Sequence, residues 1–178
     1  MSVRLSLLAI LAQGSCYGYQ LRSELDWRTG GTGPINVGQI YNTLDRLERD
    51  KLIRKTGDNN TYEITHAGRD AVADWFGSAS PPAELPTKLA LAATLPGVDI
   101  AAMLRIQRAA SDPAGTEHRE PGTGTQLAAA VITVATVVAV NGERELLDRV
   151  EALLALGIPP TPLSSEMPRR GRPVKRAG

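Results

Sequence analysis

The stretch that most constrains the fold is Pro34 to Thr65, PINVGQIYNTLDRLERDKLIRKTGDNNTYEIT, where the hydrophobic period changes from helical to alternating. Val37, Ile40, Leu44 and Leu47 recur at the spacing that lines one side of an α-helix, and that side must face a core. At 100° per residue the opposite side carries Gly38, Gln39, Asn42, Arg46 and Arg49, a surface of amides and guanidinium groups suited to base edges and phosphates. Asn36 is a good N-cap, Gln39 completes an Asn-x-x-Gln capping box, and Ile35 is placed to staple against Ile40. After Asp50, Leu52-Ile53-Arg54-Lys55 and Thr61-Tyr62-Glu63-Ile64-Thr65 flank the turn-rich Gly57-Asp58-Asn59-Asn60, which predicts a hairpin. A recognition helix followed by a two-stranded wing fits this pattern. An ordinary helix and hairpin of an α+β domain fits it equally, and neither element alone decides.

At 178 residues the chain is one domain, or one plus an appendage. Only 4% of its residues are aromatic, so packing by small aliphatic groups on helices should dominate. A lone Cys16 excludes an internal disulfide framework, and His66 and His118 alone make no zinc constellation. No cofactor is implied, and a reducing cytoplasm fits, with association to the nucleoid. The net charge of +1 is unevenly placed: residues 1–77 hold nine basic and nine acidic side chains, 78–162 six and nine, 163–178 five and one. The winged region is therefore not a broad basic patch, and any nucleic-acid binding there must come from locally aimed side chains.

Residues 3–12 are apolar on nearly every side, as in a helix buried among others. Arg4, the apolar run and Cys16 faintly resemble a lipoprotein signal peptide, but Ser6 interrupts the run and Gln13 precedes Gly14-Ser15-Cys16. Gly14 ends the helix, and Tyr17-Gly18-Tyr19 leads into a second one with Leu21 and Leu25 one turn apart. Residues 28–34, RTGGTGP, connect it to Asn36. Helix, helix, helix, hairpin is the winged helix-turn-helix order.

The chain resembles the PadR-type transcriptional regulators. The resemblance rests on Leu7-Leu8-Ala9 with Gly14, Tyr17-Gly18-Tyr19-Gln20-Leu21, Gly38-Gln39-Ile40-Tyr41 with Leu44, Arg46-Leu47-Glu48, Leu52-Ile53, and Tyr62, Ile64-Thr65 and Ala67-Gly68-Arg69. It implies a homodimeric repressor in which each subunit inserts the third helix into a major groove and lays the wing along the flanking backbone. Family members usually carry Gly where this chain has Lys51, and often a basic residue before the wing tyrosine where it has Asn59-Asn60-Thr61. The wing should therefore contribute less affinity than in relatives. Thr65 is placed to N-cap a fourth helix with Val72, Trp75 and Phe76 on one stripe, packed beneath the wing. Trp75 reads first as a core or domain-junction residue, and second as the wall of an effector pocket.

Residues 78–84 read as a linker, and 85–158 as a helical dimerisation region containing a polar loop at 111–125. Leu85–Ala93 and Ile100–Ala109 are helical around Pro96-Gly97, and residues 88–99 with Gln107-Arg108 again resemble the family, more weakly. Leu127 to Val140 is an apolar run too short and alanine-rich for a membrane span, so no membrane partner is expected. With Leu127, Val131, Val134 and Val138, continued by Leu146, Val150, Leu153 and Leu154, it keeps a helical seam that Asn141-Gly142 could kink. Such a stripe, with nothing in its own small domain to cover it, calls for a second copy over Leu127 to Leu156. Residues 159–178 form a flexible basic tail. Within it Arg170, Gly171, Arg172 and Pro173 resemble an AT-hook core that enters the minor groove, and the rival reading is a solvated tail attracting DNA without sequence preference.

The expected class is thus mainly α with a small β-hairpin wing, a winged helix-turn-helix domain over residues 1–77 followed by the helical dimerisation region. Candidate DNA-binding residues are Tyr19, Asn36, Gly38, Gln39, Tyr41, Asn42, Arg46, Lys55 and Asn60. Asn42 is the best base reader, since its amide pairs bidentately with adenine, and Gln39 could do the same, with its capping-box role in competition. Arg46, Arg49 and Lys55 suit phosphates. Tyr41 lies about 80° from the centre of the apolar face, so its ring packs while its hydroxyl reaches a phosphate. The partner expected is double-stranded DNA with a near-palindromic operator, its half-sites about 34 to 36 Å apart. The resemblance adds a small hydrophobic or phenolic effector. Two other readings stand beside this one: a winged helix serving as a protein-interaction module, favoured by the neutral charge of residues 1–77, and an architectural DNA binder acting through its tail. No nucleophile, acid–base pair or phosphate loop points to an enzyme.

Overall fold

A computed structural model of the chain describes residues 3–31, 36–56, 61–111, 126–157 and 159–163. Ile35, Asn60, the loop at 112–125 and the Arg170–Pro173 motif lie outside them. The described chain forms two compact units, residues 3–69 with 162–163, and those between 70 and 161.

In the first unit α1 (Val3–Leu11), β1 (Cys16–Tyr17), α2 (Gly18–Arg28), α3 (Val37–Arg49), β2 (Ile53–Thr56) and β3 (Thr61–Ile64) precede the first turn of α4 (His66–Phe76). Leu7, Leu8, Ile10, Leu11, Leu21, Leu25, Ile40, Leu44 and Leu47 are essentially inaccessible to water and form the core. Burying side chains of this size stabilises by about 1.5 to 3 kcal/mol each before conformational entropy is subtracted, which is why α1 is apolar nearly all round. The hairpin pairs Ile53 with Ile64 and Thr56 with Thr61; Ile53, Tyr62 and Ile64 are buried on one face, Arg54 projects with Glu63 from the other, and Lys55, opposite Tyr62, is exposed at the edge of the inner face.

Two features differ from the sequence-based expectation. Cys16 and Tyr17 pair with Tyr62 and Thr61, making a three-stranded antiparallel sheet of order β1-β3-β2 rather than a bare hairpin. Two residues are too few to show an alternating pattern. And Val37, placed by periodicity with the core residues, is 47% exposed while Ile40, Leu44 and Leu47 are fully buried. As the first residue of α3 it projects beyond the end of the core.

The end of α3 is held by an arrangement that fixes the wing. Lys51, just past the C-cap Asp50, adopts a left-handed φ of 59°. Its N–H donates to the Glu48 carbonyl at 2.9 Å and that of Leu52 to the Leu47 carbonyl at 3.0 Å, the two bonds of a Schellman motif. Thr65 Oγ1 then donates to the Lys51 and Leu52 carbonyls at 2.8 and 3.0 Å and accepts the Gly68 N–H at 3.2 Å, so one hydroxyl ties the end of α3 to the N-cap of α4. Gly68 is required: a Cβ there would stand 2.2 Å from the Leu52 carbonyl oxygen.

The second unit takes the rest of α4, then α5 (Leu85–Thr94), α6 (Ile100–Ala110) and α7 (Gln126–Leu154). Asp99 caps α6 through the Ala102 N–H at 2.8 Å. The core here is Leu85, Leu89, Ala92, Met103, Leu104 and Leu147, with Phe76, Val98, Ile100, Leu146, Val150 and Leu154 packed against it. The carboxyl half of α7 is thus covered by its own chain, and Leu146 and Val150 of the expected seam spend part of their surface there. The amino half is different: Val131, Val134, Val137 and Val138 are each more than half exposed, and in the carboxyl half Leu153 of the expected seam is exposed too. Leu127 lies in α7, with its side chain outside the described set. The helix runs through Asn141-Gly142 as one element.

Residues 78–80, read as linker, are anchored by buried polar groups. Gln107 donates to the Ser80 carbonyl at 3.0 Å and accepts its N–H at 2.8 Å, and Lys88 Nζ donates to the Ser78 carbonyl. Lys88 also lies 5.7 Å from the centroid of Trp75, whose ring packs on Phe76, so Trp75 is an interior residue of this unit. Burial lowers the Lys88 pKa from its ordinary value. Among the described residues no helix is long and apolar enough to cross a membrane, and no cluster of His, Cys, Asp or Glu could hold a metal ion.

Candidate nucleic-acid interface

The surface built around α3 follows from how that helix begins. Asn36 has an extended backbone, φ −63° and ψ 135°, and its Oδ1 accepts the Gly38 N–H at 2.9 Å while its carbonyl accepts from Gln39 and Ile40. Gly38, Gln39, Tyr41, Asn42, Asp45 and Arg46 are exposed on one side, Ile40, Leu44 and Leu47 buried on the other. The structure therefore brings together Asn36, Gly38, Gln39, Asn42 and Arg46 on one continuous face. Arg46 has no ion-pair partner among the described residues, whereas Arg49 is 3.8 Å from Asp50, which also pairs with Arg4 at 2.9 Å. Both arginines are exposed to an external anion, Arg46 without a competing carboxylate among the described residues and Arg49 with only a long contact to an Asp50 that Arg4 already holds.

Tyr41 is placed by a glycine. A Cβ on Gly18 would stand 2.7 Å from Tyr41 Cε1 and 3.2 Å from its hydroxyl oxygen, so the ring lies directly on the backbone at the start of α2. This contact sets how closely the first turn of α2 approaches α3, and it leaves Tyr41 38% exposed. Tyr19, in the same turn of α2, is half-buried and stacked on Tyr17 with ring centroids 5.4 Å apart. Spacing alone gave Gly18 no role. A small residue between two tyrosines at the start of a helix was the available signal.

Among the described residues of the wing, both cations are paired with carboxylates. Arg54 Nε and Nη2 both donate to Glu63 Oε2, at 3.0 and 2.9 Å across the hairpin. Lys55 Nζ lies 3.2 Å from Glu48 Oε2 and 5.6 Å from the Tyr62 ring centroid. The hydrogen bond that its ammonium donates to the Glu48 carboxylate raises the Lys55 pKa above its usual value. These pairs are exposed and each is worth no more than about 1 kcal/mol, so a phosphate could displace Glu48 from Lys55, at a cost that a free lysine would not incur. The remaining wing candidate, Asn60, lies outside the described residues.

Beneath this surface Arg28 and Glu24 form a buried ion pair at 2.9 Å, next to the buried Cys16. Burial first, then the Glu24 carboxylate, pushes the Cys16 thiol up to about 12. It is a packing residue held in its neutral form.

Residues 7–74 match the model of the transcriptional regulator PadR-like family. No curated protein matches the chain. Solved structures similar to it include Bacillus subtilis PadR in complex with operator DNA, 18% identical, covering 88% of this chain and 99% of that one at a TM-score of 0.40. Bacillus subtilis PadR in complex with p-coumaric acid is 18% identical, with 88% and 98% covered and a TM-score of 0.42. The Vibrio cholerae virulence activator AphA is 16% identical, with 87% and 97% covered and a TM-score of 0.40. The matched segment, residues 7–74, runs from within α1 to within α4 and is similar to the PadR-like family of transcriptional regulators.

Proposed function

We propose that this protein is a homodimeric, sequence-specific DNA-binding repressor whose α3 enters the major groove and whose release from DNA is controlled by a small hydrophobic or phenolic effector. The observation that carries the reading is the face of α3: exposed amides at Gln39 and Asn42, a bare backbone at Gly38 and an unpaired guanidinium at Arg46, backed by a fully buried apolar side. Amides pair bidentately with adenine and guanidinium groups with guanine or phosphate, so this face has the chemistry of base and backbone recognition. Dimerisation is supported by the exposed valines of α7 at 131, 134, 137 and 138, an apolar stripe that a second copy would cover by two-fold symmetry. Residues 1–77 would then serve as the DNA-binding domain and 85–158 as the dimerisation region, with the protein in the cytoplasm on its operator.

Fluorescence anisotropy on cognate and scrambled duplexes tests this. Arg46→Ala should weaken binding on all sequences alike and reduce the salt slope by about one, and Asn42→Ala should relax preference at one base position. Unchanged affinity and slope in both variants would remove α3 from the interface. A second reading, a winged helix that binds protein, is favoured by the neutralised wing, where Arg54 pairs with Glu63 and Lys55 with Glu48. Absence of duplex binding at low salt would select it.

A further inference from the structure

Val37 is the first residue of α3 and begins the apolar row that Ile40, Leu44 and Leu47 continue, yet those three are fully buried and Val37 is 47% exposed. Folding gives little reason for a valine here. β-Branched residues are mediocre helix formers, and much of the area that would repay burial stays in water.

Its neighbours supply another reason. Asn36 precedes it, Gly38 follows with no side chain, and a Cβ on Gly38 would meet only Asn36 Oδ1, at 3.5 Å. Gln39 and, one turn on, Tyr41 complete the surroundings, both exposed. Among the described residues, the start of the helix is thus a low surface on which Val37 is the aliphatic side chain among hydrogen-bonding groups. The major groove has a matching partner: three of its four base identities are marked by donors and acceptors alone, and thymine by its 5-methyl group as well. In helix-turn-helix docking the first residues of the recognition helix meet the base edges.

We infer that Val37 packs its methyl groups against the 5-methyl of a thymine in each half-site and so specifies that base. This rests on the reading that α3 enters the major groove. Apolar contact makes the preference independent of salt, unlike the phosphate contact of Arg46, and sensitive to the loss of a single methyl.

The experiment uses the full-length protein and a duplex obtained with it by selection from a random-sequence pool. Each thymine is replaced in turn by deoxyuridine, which removes only the methyl, and affinities are measured by anisotropy for the wild type and Val37→Ala. The expected result is one thymine per half-site at which deoxyuridine weakens the wild type about fourfold, the effect of one buried methyl group. Val37→Ala should bind the thymine duplex correspondingly more weakly and be indifferent to that replacement, with an unchanged circular-dichroism melt. If Val37→Ala keeps the wild-type response to deoxyuridine at every position while Asn42→Ala and Arg46→Ala still impair binding, the thymine assignment is wrong and the α3 reading stands. If the wild type selects no duplex at all, both fall.

Discussion

Replacing Lys51 by glycine should stabilise the protein, although it removes a side chain and a charge. Lys51 occupies a left-handed conformation with φ 59°, imposed by the two Schellman bonds that end α3 and by the Thr65 hydroxyl on its carbonyl. An L-residue there costs about 1 to 2 kcal/mol through the contact of its Cβ with backbone. Glycine relieves that cost and adds roughly 0.4 to 1 kcal/mol of unfolded-state entropy against folding. The net gain is on the order of 0.5 to 1 kcal/mol, or a rise in Tm of about 2 to 4 °C per kcal/mol for a chain of this length. Lys51→Ala is the control, because it loses the charge and keeps the Cβ, and it should leave stability within about 0.5 kcal/mol of the parent. Urea unfolding followed by circular dichroism gives both values on the full chain. If Lys51→Gly is no more stable than Lys51→Ala, the strain at the end of α3 is not there and the account of that junction is wrong.

Gly68→Ala should cost about 3 kcal/mol or more in the same urea assay, since its Cβ would stand 2.2 Å from the Leu52 carbonyl oxygen and backbone must move to admit it. Gly18→Ala meets a side chain instead, Tyr41 at 2.7 Å, so stability should fall by only about 1 kcal/mol while the ring is pushed outward. Anisotropy titrations should then show severalfold weaker DNA binding. The Cys16 thiol, raised to about 12 from an ordinary 9.0, stays protonated in the folded state while the unfolded chain loses its proton above pH 9. Its contribution to stability is therefore complete below pH 9 and is lost between pH 9 and 12, at up to about 1.4 kcal/mol per pH unit. Urea melts of the wild type and Cys16→Ala across that range should converge as pH rises, and a constant gap would refute the assignment.

The strongest sequence signals were those repeated over several turns. Ile40, Leu44 and Leu47 announced a core-facing helix, and Asn36 its start, because a period of 3.6 and a cap side chain are local properties. The Thr65 cap and the two strands of the hairpin were legible for the same reason. Val37 was misplaced because periodicity gives direction around an axis and says nothing about where the neighbouring elements end. β1 escaped because its two residues gain a partner, Tyr62 and Thr61, only through tertiary approach. The pairing of Lys55 with Glu48 and of Arg54 with Glu63 changed the wing from a sparsely charged element to a neutralised one, and depends on distances that no spacing rule supplies. On α7 the sequence reading of one seam seeking a second copy missed that Leu146 and Val150 find cover on α5 and α6, because which neighbour covers a stripe is not a property of its period.

The central claim, that two copies of α3 read DNA, is tested most directly by hydroxyl-radical footprinting of the full-length protein on the DNA upstream of its own gene. The account predicts two symmetric protected patches on one face of the duplex, centred about one helical turn, or roughly 34 to 36 Å, apart, and weakened together in Arg46→Ala. No protection at low salt, or protection without a two-fold repeat that survives Arg46→Ala, would contradict it.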